Sequence, residues 1–106
     1  MDPQVEKIMA TVAGVIGTQP SLGGTLKVDF GEPGSLIIDG SGNTNTISDG
    51  TGKTADCTVS LSIETLKQLR DHEIEPAAAF FKGRLRVNGD FGLAMKLGPI
   101  LSGELG

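Results

Sequence analysis

The stretch Pro76-Ala77-Ala78-Ala79-Phe80-Phe81-Lys82-Gly83-Arg84-Leu85-Arg86-Val87-Asn88-Gly89-Asp90-Phe91-Gly92-Leu93-Ala94-Met95-Lys96-Leu97 holds a short helix, a turn, a strand and a second helix in succession. Pro76 suits the first helical position, where its missing N–H removes no bond. Ala77 to Phe81 continue that turn and Gly83 breaks it. Arg84-Leu85-Arg86-Val87 alternates charged and apolar residues, the period of a half-buried strand. Asn88-Gly89-Asp90 is turn chemistry, with Asp90 placed to cap the apolar helix of Leu93, Ala94, Met95 and Leu97.

These residues resemble the signature of the sterol carrier protein 2 family, which reads roughly A-F-F-x-G-K-L-K-I-x-G-N/D-x-x-L-A-M-K-L. Ala79, Phe80, Phe81, Gly83, Leu85, Gly89 and Asp90 match it, as do Leu93 to Leu97. Arg84, Arg86 and Val87 are like-for-like replacements. Ala55-Asp56-Cys57-Thr58 is similar to a second strand start of the same family. The resemblance implies an α+β fold, a five-stranded mixed sheet covered by helices around an internal apolar tunnel that shields a lipid.

Outside the signature the chain agrees with that order. Asp2 caps a helix begun by Pro3, and Val5, Ile8, Met9, Val12 and Ile16 form one apolar stripe ended by Gly17. Leu26, Val28 and Phe30 alternate with Lys27 and Asp29 in a first strand. Leu36 to Ile38 make a second strand of less clear sidedness, and Thr44 to Ser48 a polar third. Short connections make these a meander. Cys57, Val59 and Leu61 share one face of a fourth strand, after which Ser62 caps a helix carrying Ile63, Leu66 and Leu69. Residues 1–106 therefore read as a single domain.

Charge is uneven along the chain. The formal net charge is −4, yet residues 82–96 carry Lys82, Arg84, Arg86 and Lys96 against Asp90 alone. That is a local +3, which leaves −7 elsewhere. An acidic body with one basic strand edge does not suit nucleic acid, which asks for a broad basic face. Lys82, Arg84 and Arg86 recur every second residue, so in a strand they would share a face and meet an anionic membrane or headgroup. No run approaches the roughly 20 apolar residues of a membrane span. With a lone Cys57, no basic n-region at Met1-Asp2-Pro3 and no Ser-Lys-Leu-type ending, the expectation is a reducing, cytoplasmic setting.

Other patterns fail their own chemistry. Gly50-Thr51-Gly52-Lys53-Thr54 ends like a phosphate-binding loop, but Ile47 stands where the first glycine belongs, and a strand follows instead of a helix. Asp39, Ser41, Asn43 and Asn45 have calcium-loop spacing, yet Thr44 and Gly50 occupy the positions that need Gly and Glu. Cys57 falls on an apolar strand face and His72 at a helix end, with no third group to orient a pair. No cofactor or metal site is expected from one histidine and one cysteine.

By spacing alone, Phe80, Phe81, Leu93, Met95 and Leu97 are core residues. The resemblance implies instead that they border the ligand space, with Val12 and Ile16 contributed by the first helix. Gly98 and Pro99 interrupt the final helix, which points to a more open mouth. The function expected is a non-enzymatic carrier of sterol-like, fatty-acyl or isoprenoid ligands, acyl-CoA included, with transient contact to anionic membranes. The alternative is an accessory module that presents a lipid-like substrate to partner enzymes.

Overall fold

Local chemistry starts each helix. The computed structural model describes residues 2–102, with side chains through Lys96. Helix α1 spans Pro3–Ile16, and the Asp2 carboxylate accepts the Gln4 N–H at 2.7 Å, satisfying one of the first-turn donors. Helix α2 (Ile63–Arg70) is capped by Ser62, whose hydroxyl accepts from Thr65 N–H at 3.0 Å. Helix α3 (Pro76–Phe81) has proline at its first position. Helix α4 runs Phe91–Ser102, and the Asp90 carboxylate accepts from Gly92 N–H at 2.9 Å. It continues through Gly98 and Pro99, where the sequence predicts an interruption. Pro99 has no N–H to give, so the helix passes this point without one of its ladder bonds.

Five strands form one sheet: β1 (Thr25–Asp29), β2 (Ser35–Asp39), β3 (Thr46–Asp49), β4 (Cys57–Leu61) and β5 (Leu85–Gly89). Their order is β3-β2-β1-β4-β5, with β1 and β4 parallel and every other pair antiparallel. The α+β fold with a mixed five-stranded sheet expected from sequence is the observed one. Helices α1, α3 and α4 pack on one face, and α2 packs on α4. That face carries Leu26, Val28, Leu36, Ile38, Cys57, Val59 and Leu61, all buried. Leu85 and Val87 of β5 point the same way but are only half-buried.

The second strand's ambiguity has a structural cause. Leu36 and Ile38 face the helices, while Ile37 is buried on the opposite face. The β3–β4 connection has to cross β2 and β1 to reach β4. Lys53 in that connection accepts from Lys27 Nζ through its carbonyl (2.9 Å) and donates to Ser48 Oγ (3.3 Å). Ser48, Ile37 and Lys27 lie in one cross-strand row, so the connection roofs Ile37.

Asn45, which the sequence places in the polar third strand, stands just before β3 and closes the first half of the fold. Its Oδ1 accepts from Leu22 N–H at 2.9 Å and its Nδ2 donates to the Pro20 carbonyl at 3.0 Å, fastening the loop after α1. Asn45→Ala strands the half-buried Leu22 donor and should lower unfolding free energy by about 1–3 kcal/mol in a urea titration. At the end of α2, His72 takes a left-handed φ of 59°, its N–H bonding to Leu69 and that of Glu73 to Gln68. This is the cap glycine normally provides. His72 is exposed, so His72→Gly removes strain without removing packing and should stabilise by about 1 kcal/mol, read as a raised urea midpoint.

Candidate functional site

Helix α3, strand β5 and the first turns of α4 leave an apolar groove between them. Ala79, fully buried, anchors α3 to the core, which turns Phe80 and Phe81 outward. Gly83, at φ 73°, reverses the chain, and Arg84 N–H bonds back to the Ala79 carbonyl at 2.9 Å, starting β5 against α3. Leu85 and Val87 supply the floor because strand alternation points them to the helical face. Phe91 and Met95, one helical turn apart, supply the far wall with Ala94. Together with Pro76, Ala77, Phe80 and Phe81 these residues line about 560 Å³. Such a volume lies within the range of about 300–1,000 Å³ typical of small-molecule sites.

The walls are aromatic and uncovered. Phe80 meets Phe81 edge-on at 6.0 Å between centroids and Phe91 at 6.4 Å. Phe81 is 85% exposed and Met95 69%, values that a close-packed core does not allow. Large apolar side chains left in water at one place mark an interaction site. Among the described residues this concavity is a groove open along one side, and the enclosed tunnel that the resemblance implies is not shown.

The groove gathers Phe80, Phe81 and Met95 of the residues expected to border a ligand. It does not gather Val12 and Ile16, each 2% exposed, which pack α1 onto the sheet in the closed core. Leu93 is also core, at 6% exposure, because it faces inward from α4 toward Gly24 while Phe91 and Met95 face out. The side chain of Leu97 lies outside the described residues. Lys82, Arg84 and Arg86 are all exposed, but they do not share one strand face. Lys82 caps α3, Gly83 resets the chain, and only Arg86 falls within β5, opposite Ser60 on the helix-free face. Arg84 reaches the Gln68 side chain at 3.3 Å.

Sequence reasoning missed Pro76, Ala77, Leu85, Val87, Phe91 and Ala94 as groove residues. Phe91, four residues before Met95, was the available signal. Lys96 has a structural role: its Nζ donates to the Leu22 carbonyl at 2.7 Å and ties α4 to the loop after α1. Cys57 is buried at the start of β4. Burial pushes its thiol up, and the Asp90 carboxylate adds to the shift, so it is a poor nucleophile at neutral pH. His72 is exposed beyond α2, and no hydrogen bond links the two among the described residues. Among those residues there is also no group of three or more His, Cys, Asp or Glu able to hold a metal, and no helix long and apolar enough to cross a membrane.

A mixed sheet with helices on one face and an apolar groove at its edge defines a small α+β ligand-holding domain. The chain belongs to the SCP-2 sterol transfer family, whose pattern matches residues 18–102. It is thus an SCP2-type lipid-binding domain. Sterol carrier protein 2 of Bos taurus is 34% identical over 67 residues, covering 63% of this chain and 12% of the bovine protein. The match thus spans about an eighth of that relative's length. The crystal structure of sterol carrier protein 2 like 2 from Aedes aegypti shares the fold at TM-score 0.72 and 19% identity, covering 90% of this chain and 94% of that one. Sterol carrier protein 2 of Aedes aegypti in complex with palmitate does so at TM-score 0.67 and 14% identity, covering 95% and 96%.

Exposure separates groove from core, and stability measurements should register it. Leu93→Ala should lower unfolding free energy by about 2–5 kcal/mol, the range for a buried leucine. Phe81→Ala should stay within about 0.5 kcal/mol of the parent, as surface changes do. Parallel urea titrations compare the two.

Proposed function

We propose that this domain is a carrier that holds the hydrocarbon part of a lipid in the groove between α3, β5 and α4, and that it acts without chemistry of its own. The observation that carries the reading is the exposed Phe81, Phe91 and Met95 around a floor of Leu85 and Val87. Removing a hydrocarbon chain from water into such a groove gains about 0.8 kcal/mol per buried CH₂. A long acyl chain sums to about 10 kcal/mol gross, before association and ordering costs. Micromolar affinity follows without any polar recognition. The ligand class is accordingly broad: fatty-acyl, isoprenoid or sterol-like molecules compete for one surface. Palmitate in the Aedes aegypti relative supports a fatty acyl chain as the first ligand to test. Delivery of that lipid to a membrane or to a partner enzyme completes the proposal.

Met95→Trp tests it. The side chain is exposed, so the larger ring meets no packed neighbour and the urea midpoint should hardly move. The ring takes up groove volume, and affinity for a fluorescent fatty acid should fall at least tenfold. Unchanged affinity in the folded variant places the ligand elsewhere. Native mass spectrometry of gently purified protein should show one lipid mass per chain, and that mass should be lost from the variant.

A further inference from the structure

We infer that the corner formed by Phe81, Lys82, Arg84 and Arg86 is a docking surface for an anionic lipid bilayer, with Phe81 entering the interface. The inference rests on the carrier reading above and assigns the partner that meets the mouth of its groove.

Two observations coincide at this corner. Phe81, at 85% exposure, is the most exposed large apolar side chain among the described residues. It lies in the acid-free stretch of the sequence that holds the most cations. From Pro76 to Gly89 there are three cations and no Asp or Glu, a local +3 in a chain of net −4. The remaining residues therefore sum to −7. Lys82, Arg84 and Arg86 make no ion pair among the described residues. The acids around them are Glu64 of α2, which lines one surface concavity with Arg84, Asp29, which lines another with Arg84 and Arg86, Glu75 before α3 and Asp90 at the α4 cap. Asp29 lies across β4 from Arg86 and accepts the Gly31 N–H.

Charge complementarity selects the partner and its orientation. An anionic surface repels most of this molecule and attracts the β5 edge of the sheet, where Phe81 of the groove is followed by Lys82 and where Arg86 stands on the opposite face. Basic residues beside an anionic leaflet each add to binding, and an aromatic ring settles at the headgroup level. The concavity between α1 and α2 offers a contrast. It is lined by Lys7, Lys67 and Arg70, but Arg70 pairs with Asp71 at 3.0 Å, Lys67 donates to the Gln4 side chain at 3.1 Å, and no large apolar side chain stands exposed beside them. A second copy of the chain is a poorer occupant for the Phe81 corner, because pairing it with itself would set cation against cation.

The chain has no tryptophan or tyrosine, so a single introduced indole reports its own surroundings. Phe81→Trp is titrated with vesicles of phosphatidylglycerol and phosphatidylcholine, and with phosphatidylcholine alone. Ala10→Trp, on the exposed side of α1, is the control. A blue shift of about 10 nm, with quenching by brominated lipid, is expected only for Phe81→Trp and only on anionic vesicles. Replacing Lys82, Arg84 and Arg86 by Gln should lower vesicle partitioning about a hundredfold in co-sedimentation, and raised salt should do the same. Equal binding to neutral vesicles, a shift confined to Ala10→Trp, or a dimer with no vesicle binding would each overturn the docking surface. The two readings fail separately. Fatty acid bound by a protein that ignores vesicles defeats the docking surface alone, and vesicle binding without any lipid in the groove defeats the carrier reading. If Phe81→Trp does not fold, co-sedimentation of the Gln variants decides the question.

Discussion

Asp56 is the joint on which the fold depends. Its carboxylate accepts the Thr25 N–H at 3.0 Å and its own N–H donates to the Thr25 hydroxyl at 2.8 Å, which sets the parallel start of β4 beside β1. Its carbonyl accepts the Asp90 N–H at 2.9 Å, which ends β5 and begins α4. Three elements distant in sequence meet on one residue. The approach is so close that a side chain at Gly89, φ 104°, would collide with the Asp56 carbonyl. Asn-Gly-Asp and Ala-Asp-Cys-Thr, the two family-like motifs, are thus two halves of one contact.

That contact also places the groove. With β5 ended at Gly89 and α4 begun at Phe91, the first turn of α4 comes back over the sheet edge. Leu93 then enters the core and Phe91 and Met95 are left on the side facing α3. Lys96 bound to the Leu22 carbonyl holds the same helix from behind. The groove's openness is therefore built by hydrogen bonds away from it, while its walls consist of side chains with few neighbours. Such an arrangement lets a ligand repack Phe81 and Met95 without disturbing the sheet, and methionine is the side chain best suited to that adjustment.

Much of this was legible in the sequence because the signals are local. Period-two alternation placed Leu26, Val28, Cys57, Val59 and Leu61 on the covered face, and Asp2, Ser62 and Asp90 announced their helices by capping chemistry. What was not legible depends on chain reversals and on contacts between distant segments. Counting by twos from Arg86 put Lys82 on its strand face, but the positive φ of Gly83 breaks the count. Leu93 and Met95 sit in one apolar run, and no periodicity says which of them the packing of α4 will leave uncovered. Asn45 looked like one more residue of a polar strand, because its partners lie more than twenty positions away. Ile37 looked ambiguous because a connection from another part of the chain covers it.

The connection that covers Ile37 also bears on how the chain reaches this state. Strands β1, β2 and β3 join by short turns and can assemble among themselves, as can β4 and the signature segment. The parallel pairing of β1 with β4 is different: Leu26 must find Cys57, thirty-one residues on, before either half gains its central neighbour. Closing a loop of that length has to be met in entropy before the contact returns anything, and non-local pairings of this kind slow folding. Until it closes, both inner strands expose an unpaired edge, a template for association with other chains. The Lys27–Lys53 and Lys53–Ser48 bonds lay the connection over β1 and β2, and the two Thr25–Asp56 bonds at its end fasten the seam itself.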